Sequence, residues 1–161
     1  MRREINVGKL KNGMTIYTQP DSSRSSHLWG IGVKAGSLHD PPGIRGLAHF
    51  TEHVMCAQSK EHTNEEADLI FERITGGPEG NIGISTSRYC TFYGPADMMR
   101  HRKNMEELFD LFAGMLRDSI ITRDSFAAER AAIHNEYYLR GHDDLEAVLD
   151  SLVHEGLYRI N

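Results

Sequence analysis

The stretch from Gly46 to His53 constrains the fold of this chain more than any other part of the sequence. It contains the motif H-x-x-E-H, which reverses the zinc-binding order H-E-x-x-H. His49 and His53 are four positions apart, and residues at that spacing lie one turn apart on the same face only if the backbone is helical. In a helix the two imidazoles can hold one Zn²⁺, with Glu52 beside them. The pattern therefore predicts a helix that carries part of a metal site.

Short β-prone segments on either side of this helix predict a mostly antiparallel sheet. Two such runs, Ile5–Val7 and Met14–Thr18, flank an Asn-Gly turn, which is a strong hairpin signal. Leu28–Ala35 alternates with glycine and is predicted to be a central strand. Segments 80–85 and 89–93 predict a second hairpin.

Helical periodicity covers most of the remaining chain. The motif helix is predicted to end near Ala57, and a second helix from Asn64 to Ile74 begins at a capping box of Thr63 and Glu66. Three further helices are predicted, at Asp97–Leu116, Thr122–Arg140 and Asp143–Leu157. The first of these three has an apolar stripe that is expected to lie in the core, formed by Met105, Leu108, Phe109, Phe112, Met115 and Leu116. The order of strands and helices predicts an α+β fold with helices packed on one face of the sheet.

A catalytic zinc site needs a third protein ligand and an open position for water. The predicted helix that follows Thr122 offers two candidates, Glu129 and Glu136. They are seven positions apart, so two helical turns bring both carboxylates to nearly the same face. One can bind the metal while the other orients a group that binds it. The spacing leaves open which carboxylate has which role.

The chain resembles the pitrilysin and mitochondrial-processing-peptidase family of inverted-motif zinc peptidases. The resemblance lies in G-S-x-x-D at 36–40, G-L-A-H-F-x-E-H at 46–53 and E-R-x-x-I-x-x-E at 129–136. The opening L-K-N-G-M-T at 10–15 and the lead from Gly76-Gly77 to Asn81 also match family segments. These segments span almost the whole chain and occur in the family's order.

The resemblance implies the roles of the site residues. One Zn²⁺ per chain would be held by His49, His53 and Glu136, with Glu52 as the general base. Glu129 corresponds to the family's other acidic helix position and would contact a metal ligand rather than the metal. Together with Glu52 it is expected to be a catalytic residue. The implied substrate is an extended peptide that binds along a sheet edge. The edge residues are expected to be Asn81, Ile82, Gly83, Ile84 and Ser85.

The resemblance also bears on domain organisation and partners. Family members resemble clamshells of two or more homologous domains, and this chain is expected to be a single, incomplete catalytic domain over residues 1–161. A second copy of the chain or a second pitrilysin-type subunit is therefore expected to complete the active site. An isolated monomer is expected to be a poor enzyme, because an open half-site admits water that weakens its electrostatics.

Composition excludes other broad classes of function. The net charge of −5 argues against nucleic acid or an anionic membrane as a partner. The sequence lacks an 18-residue apolar run and an apolar signal segment at its start, so a cytoplasmic location is expected. The two cysteines are too few for a disulfide framework.

Two alternative functions remain at this point. S-ribosylhomocysteine lyase also has an H-x-x-E-H motif, but its third ligand is a cysteine, so Cys90 would have to bind the metal. The other alternative is a non-catalytic scaffold or partner subunit of a peptidase complex. The retained motif favours an enzyme. Cys56 is expected to be a buried, inert thiol, and Cys90 is expected to lie in the core.

Overall fold

The computed structural model describes residues 4–75, 83–95 and 102–139. Within these residues the chain forms five strands and four α-helices. The strands are β1 (Asn6–Lys9), β2 (Thr15–Thr18), β3 (Ile31–Val33), β4 (Ser85–Thr86) and β5 (Thr91–Tyr93). The helices are α1 (Leu47–Ala57), α2 (Asn64–Thr75), α3 (Arg102–Asp118) and α4 (Arg123–Leu139). The predicted α+β fold with small antiparallel sheets is confirmed, whereas the predicted helix at 143–157 lies outside the described residues.

The first hairpin forms as predicted. Strands β1 and β2 pair antiparallel, with Asn6 opposite Thr18 and Lys9 opposite Thr15. Gly13 closes the turn at φ 91°, a left-handed conformation that glycine adopts without a steric penalty. Every residue of both strands is exposed, so this hairpin lies apart from the core in the described part of the chain.

The second sheet has the order β3-β5-β4, and both pairings are antiparallel. The predicted hairpin of β4 and β5 is present with shorter strands. The prediction that Leu28–Ala35 forms a central strand is wrong, because only Ile31–Val33 pairs and β5 occupies the centre. A Cβ atom on Gly36 would lie 2.3 Å from the Ser87 carbonyl oxygen, so the glycine that follows β3 serves close backbone contact.

The core lies between α2, α3 and β5. Its most buried side chains are Leu108, Leu111, Phe112 and Met115 of α3, packed with Ala67 and Phe71 of α2 and Tyr93 of β5. Burial of one such large apolar side chain contributes about 1.5–3 kcal/mol. The predicted α3 stripe is confirmed except at Phe109, which is 45% exposed. Phe109 lies at the edge of the stripe and packs against Trp29, with ring centroids 5.1 Å apart.

Polar side chains cap the helices that flank the core. The predicted capping box of α2 is present, because Thr63 N donates to Glu66 Oε2 at 2.9 Å and Glu66 N donates to Thr63 Oγ1 at 3.3 Å. Helix α4 begins after Thr122, whose Oγ1 accepts a hydrogen bond from Ser125 N at 3.0 Å. None of the described helices is long and apolar enough to cross a membrane.

Candidate metal centre

The start of α1 is fixed by a carboxylate from the preceding loop. Asp40 Oδ2 accepts a hydrogen bond from Gly46 N at 2.7 Å, and Asp40 Oδ1 accepts one from Ala48 N at 2.8 Å. A negative charge at a helix N-terminus also interacts favourably with the helix dipole. Gly46 itself has φ 83°, which lets the loop turn sharply into the helix. These contacts set the position of the first turn, directly before His49.

The two motif histidines lie side by side on α1. Their ring centroids are 4.9 Å apart and the ring planes meet at 80°. Both rings are partly buried, and Glu52 between them in sequence is buried. One ligand atom from each of His49, Glu52 and His53 lies within 4.8 Å of the others. Nitrogen and oxygen donors this close form a donor set that suits zinc.

Helix α4 brings two carboxylates to this cluster. Glu136 Oε2 lies 3.5 Å from His49 Nε2 and 3.5 Å from His53 Nε2. Glu129 Oε2 lies 3.1 Å from Nδ1 of His53, on the opposite side of the same imidazole. The two glutamates that the spacing could not distinguish therefore face different nitrogens of one ring.

The 3.5 Å separations test whether these residues fit a metal ion. A good N–H···O hydrogen bond is about 2.7–3.2 Å long, so Glu136 is too far from both rings for one. Two atoms bound at about 2.1 Å to one tetrahedral ion are roughly 3.4 Å apart. The distances from Oε2 of Glu136 to the two Nε2 atoms thus fit a carboxylate that shares one zinc ion with both histidines. Glu129 is instead at hydrogen-bond distance from Nδ1 of His53, where it can orient that ring.

Glu52 is 6% exposed and has a partner from the sheet. The hydroxyl of Thr86 donates to Glu52 Oε2. Thr86 Oγ1 is also 3.2 Å from Oγ1 of Thr91, and Thr91 Oγ1 donates to the Ala35 carbonyl oxygen at 2.8 Å. Strands β4 and β5 therefore hold the acidic side chain of the motif from one side.

A cavity of about 850 Å³ opens over this cluster. Other walls come from Ile84 and the following strand β4, through Ser85 and Thr86, and from α2, through Asp68 and Phe71. Among the described residues that line it, the charged groups are acidic or histidine, and none is lysine or arginine. The cavity is therefore suited to a cation and disfavours additional anionic groups.

The expected substrate-binding edge is described only in part. Ile84 and Ser85 lie on the cavity wall, and β4 is an edge strand of its sheet. Gly83 is not among the lining residues, and its N–H already donates to the Gly94 carbonyl at 2.7 Å. Asn81 and Ile82 lie outside the described residues.

A second, apolar groove of about 690 Å³ shares His49 and Glu136 with the first cavity. The rings of Phe50 of α1 and Phe126 of α4 meet edge to face in it at a centroid distance of 4.7 Å, and this contact joins α1 to α4. Sequence reasoning assigned no role to Phe126 or to Asp40, and it placed Thr86 only at the end of the expected substrate-binding edge. Asp40 was recognised only as part of a family segment, and a threonine in a strand carries no signal that separates it from others.

The two cysteines differ in their surroundings. Cys56 lines the main cavity, and burial, reinforced by the charges of Glu52 and Glu129, raises its pKa to about 12. The expectation that Cys90 lies in the core is wrong. Cys90 is exposed, because it belongs to the turn before β5, where its Sγ lies 3.3 Å from Ser87 Oγ. Cys90 is also absent from the described residues that line the main cavity, whereas Glu136 is among them, and this disfavours the lyase alternative.

Alkylation should separate the two thiols. In the metal-free chain at pH 8, we expect iodoacetamide to modify Cys56 at least about 100-fold more slowly than Cys90, because the thiolate is the reactive form. The rate at Cys56 should increase as the pH approaches its pKa of about 12. Mass spectrometry of peptides from timed samples measures both rates, and Cys90→Ser isolates the slow one. Equal rates at pH 8 would contradict the buried environment of Cys56.

Comparison with known proteins gives a family match over most of the chain. The family described as Insulinase (Peptidase family M16) matches residues 15–161. An uncharacterized zinc protease of Rickettsia bellii is 27% identical over 158 residues, which cover 98% of this chain and 35% of that protein. Mitochondrial-processing peptidase subunit beta of Saccharomyces cerevisiae is 26% identical over 154 residues, which cover 96% of this chain and 31% of that protein.

A solved structure agrees with these relatives. The crystal structure of pitrilysin is similar with a TM-score of 0.69 and 25% identity, over 87% of this chain and 14% of that one. The chain spans about a third of the length of the two curated relatives.

Proposed function

This chain belongs to the insulinase family, peptidase family M16, and from this premise we propose that it carries the zinc site of a metalloendopeptidase that hydrolyses extended peptides. The family resemblance inferred from the motifs is thereby confirmed. The observation that carries the proposal is the convergence of His49 Nε2, His53 Nε2 and Glu136 Oε2 at separations of 3.5 Å from the carboxylate to each ring.

In this proposal His49, His53 and Glu136 hold one Zn²⁺ per chain. Glu129 accepts a hydrogen bond from Nδ1 of His53, which leaves Nε2 of that ring free to bind the metal. When bound, zinc lowers the pKa of a coordinated water towards about 7 and polarises a carbonyl group.

Glu52 is the general base of the proposed reaction. Its carboxylate lies beside the two histidines, within the cluster in which ligand atoms are at most 4.8 Å apart. It would accept the proton of the attacking water and then donate it to the departing amine of the peptide. The hydrogen bond from Thr86 leaves the second carboxylate oxygen of Glu52 for this transfer.

The peptide is proposed to bind along the edge that precedes and includes β4. An extended chain can pair with an exposed strand edge through main-chain hydrogen bonds, and Ile84 and Ser85 line the cavity next to the zinc ligands. Of the residues proposed from the sequence, Asn81 to Ser85, the backbone N–H of Gly83 is engaged with Gly94. Ser87 N donates to the Cys90 carbonyl in the same direction, so strand alternation also turns the backbone of Ser85 towards β5, and main-chain recognition in the described part of this edge relies on Ile84.

Further groups around the substrate are proposed to come from a second copy or a second subunit of the same family. Two observations support this view. The chain matches about a third of each curated relative. The name of the yeast relative describes it as one subunit of a processing peptidase. The competing proposal, a non-catalytic partner subunit, requires the same pairing without cleavage.

Metal content and cleavage test the proposal together. We expect one zinc per chain by elemental analysis, and hydrolysis of a quenched fluorescent peptide that a chelator abolishes and added zinc restores. If a second copy completes the site, the rate per chain should increase with protein concentration. Absence of stoichiometric zinc would contradict the metal site. Zinc without cleavage at any concentration, in the presence of a family subunit, would favour the non-catalytic partner.

A further inference from the structure

The carboxylate of Glu52 is buried and needs a hydrogen-bond donor to offset the loss of water. Among the described residues, the side chain that donates to it is Thr86, from strand β4 rather than from the motif helix. Glu52 is 6% exposed, so water can replace this donor only in part. The direction of the carboxylate thus depends on a residue 34 positions away in sequence.

Thr86 packs beside Thr91 in the sheet. The two residues are direct partners in the β4–β5 ladder, and their hydroxyl oxygens are 3.2 Å apart. Thr91 is 4% exposed and donates its hydroxyl hydrogen to the Ala35 carbonyl oxygen. Because a hydroxyl has one hydrogen and a carboxylate is a stronger acceptor than a neutral hydroxyl, the hydrogen of Thr86 is directed at Glu52. Threonine is also stiff at χ1, which limits alternative positions.

We propose that Thr86 is a positioning residue that fixes the orientation of the Glu52 carboxylate, with Thr91 as its support. This inference rests on the proposed function of Glu52 as general base. Under this inference β4 has two roles. It lines the peptide cavity, and it orients Glu52, the group proposed to transfer the proton. Thr86 touches neither the zinc ligands nor the reacting water in this arrangement, and it acts through Glu52 alone.

Paired substitutions test the assignment. Thr86→Val removes the hydroxyl at nearly constant shape, and Thr86→Ser keeps the hydroxyl and removes a methyl group. In the zinc-loaded peptidase we expect Thr86→Val to lower kcat by about 10- to 100-fold, the loss of one hydrogen bond to a charged group. KM and the zinc content should change less than about 2-fold, since binding groups are untouched. Thr86→Ser should recover most of kcat, and Thr91→Val should have a smaller effect than Thr86→Val.

Crystal structures of the zinc-loaded wild type, Thr86→Val and Thr86→Ser chains give a readout that needs no cleavage. We expect the Glu52 carboxylate to rotate or lose order in Thr86→Val and to regain its wild-type place in Thr86→Ser. An unchanged Glu52 in Thr86→Val would overturn the inference, and so would an unchanged kcat. If the wild-type chain binds no zinc, the proposed function is contradicted instead. The inference is then tested by comparing the position of the Glu52 carboxylate in metal-free crystals of the wild type and the two variants. Thermal unfolding of each variant shows whether it is folded, and Thr86→Ser remains informative if Thr86→Val is not.

Discussion

Replacement of Glu52 by glutamine is expected to lower kcat/KM for peptide cleavage by about 10²–10⁴-fold while zinc stays bound. The amide has almost the same shape as the carboxylate, and its oxygen can still accept the hydrogen bond from Thr86. It cannot accept a proton from water near neutral pH, so the step that Glu52 is proposed to perform is lost. Initial rates with a quenched peptide, together with zinc content per chain, measure both parts of this prediction.

A matched glutamate controls for the loss of one negative charge. Glu65 lies in the exposed first turn of α2, and Glu65→Gln should leave cleavage within about 2-fold of wild type because its charge is screened by solvent. Retention of activity in Glu52→Gln would remove Glu52 from the role of base. Loss of zinc in the same variant would instead place Glu52 among the metal ligands, which its distance from both histidines also permits.

The second large effect is expected in zinc affinity. Under the proposed assignment, Glu136→Ala should weaken zinc binding by more than about 100-fold, because it removes one of three proposed protein ligands. Glu129→Ala should weaken it by about 10- to 100-fold, the usual cost of losing a group that orients a ligand histidine. Competition with a chromophoric chelator at one fixed pH measures these affinities.

Exposed Glu72 on α2 supplies the control, and Glu72→Gln should bind zinc as the wild type does. If Glu129→Ala weakens binding more than Glu136→Ala, the two roles are exchanged. If neither variant changes the affinity, zinc is not held between α1 and α4.

The local parts of the site could be predicted from the sequence because they follow from helix geometry. The four-residue spacing of His49 and His53 requires one face of one helix, and α1 places their rings 4.9 Å apart. The seven-residue spacing of Glu129 and Glu136 similarly places both on one side of α4. Which carboxylate approaches the Nε2 atoms depends on how α4 crosses α1, and only the packed structure gives that angle.

Features that depend on pairing between distant segments were not predicted. The alternation in Leu28–Ala35 is equally consistent with an edge strand, and its place in the sheet is decided by the pairing of β3 with β5. The predicted strand began at residue 89, two positions before β5 begins at Thr91, and this error placed Cys90 in a strand rather than in the turn. The hydroxyl of Thr86 became significant only when β4 was found next to Glu52.

The short segment from Ala35 to Asp40 makes contacts at both of its ends. Its carbonyl at Ala35 accepts the hydroxyl hydrogen of Thr91 at 2.8 Å. Its backbone N–H groups at Ser37 and Leu38 donate to carbonyl oxygens of the β4–β5 turn at 3.1 and 3.0 Å. At its far end Asp40 accepts hydrogen bonds from the first turn of α1.

This segment connects α1, the helix that bears the histidines, to strands β4 and β5, beside Thr86. A displacement of the β4–β5 turn is transmitted to α1 through five hydrogen bonds rather than through side-chain packing alone. These hydrogen bonds link α1, which carries Glu52, to the segment beside Thr86. Substitution of Gly36 would place a Cβ atom 2.3 Å from the Ser87 carbonyl oxygen, so the hydrogen bonds between this segment and the β4–β5 turn would have to shift.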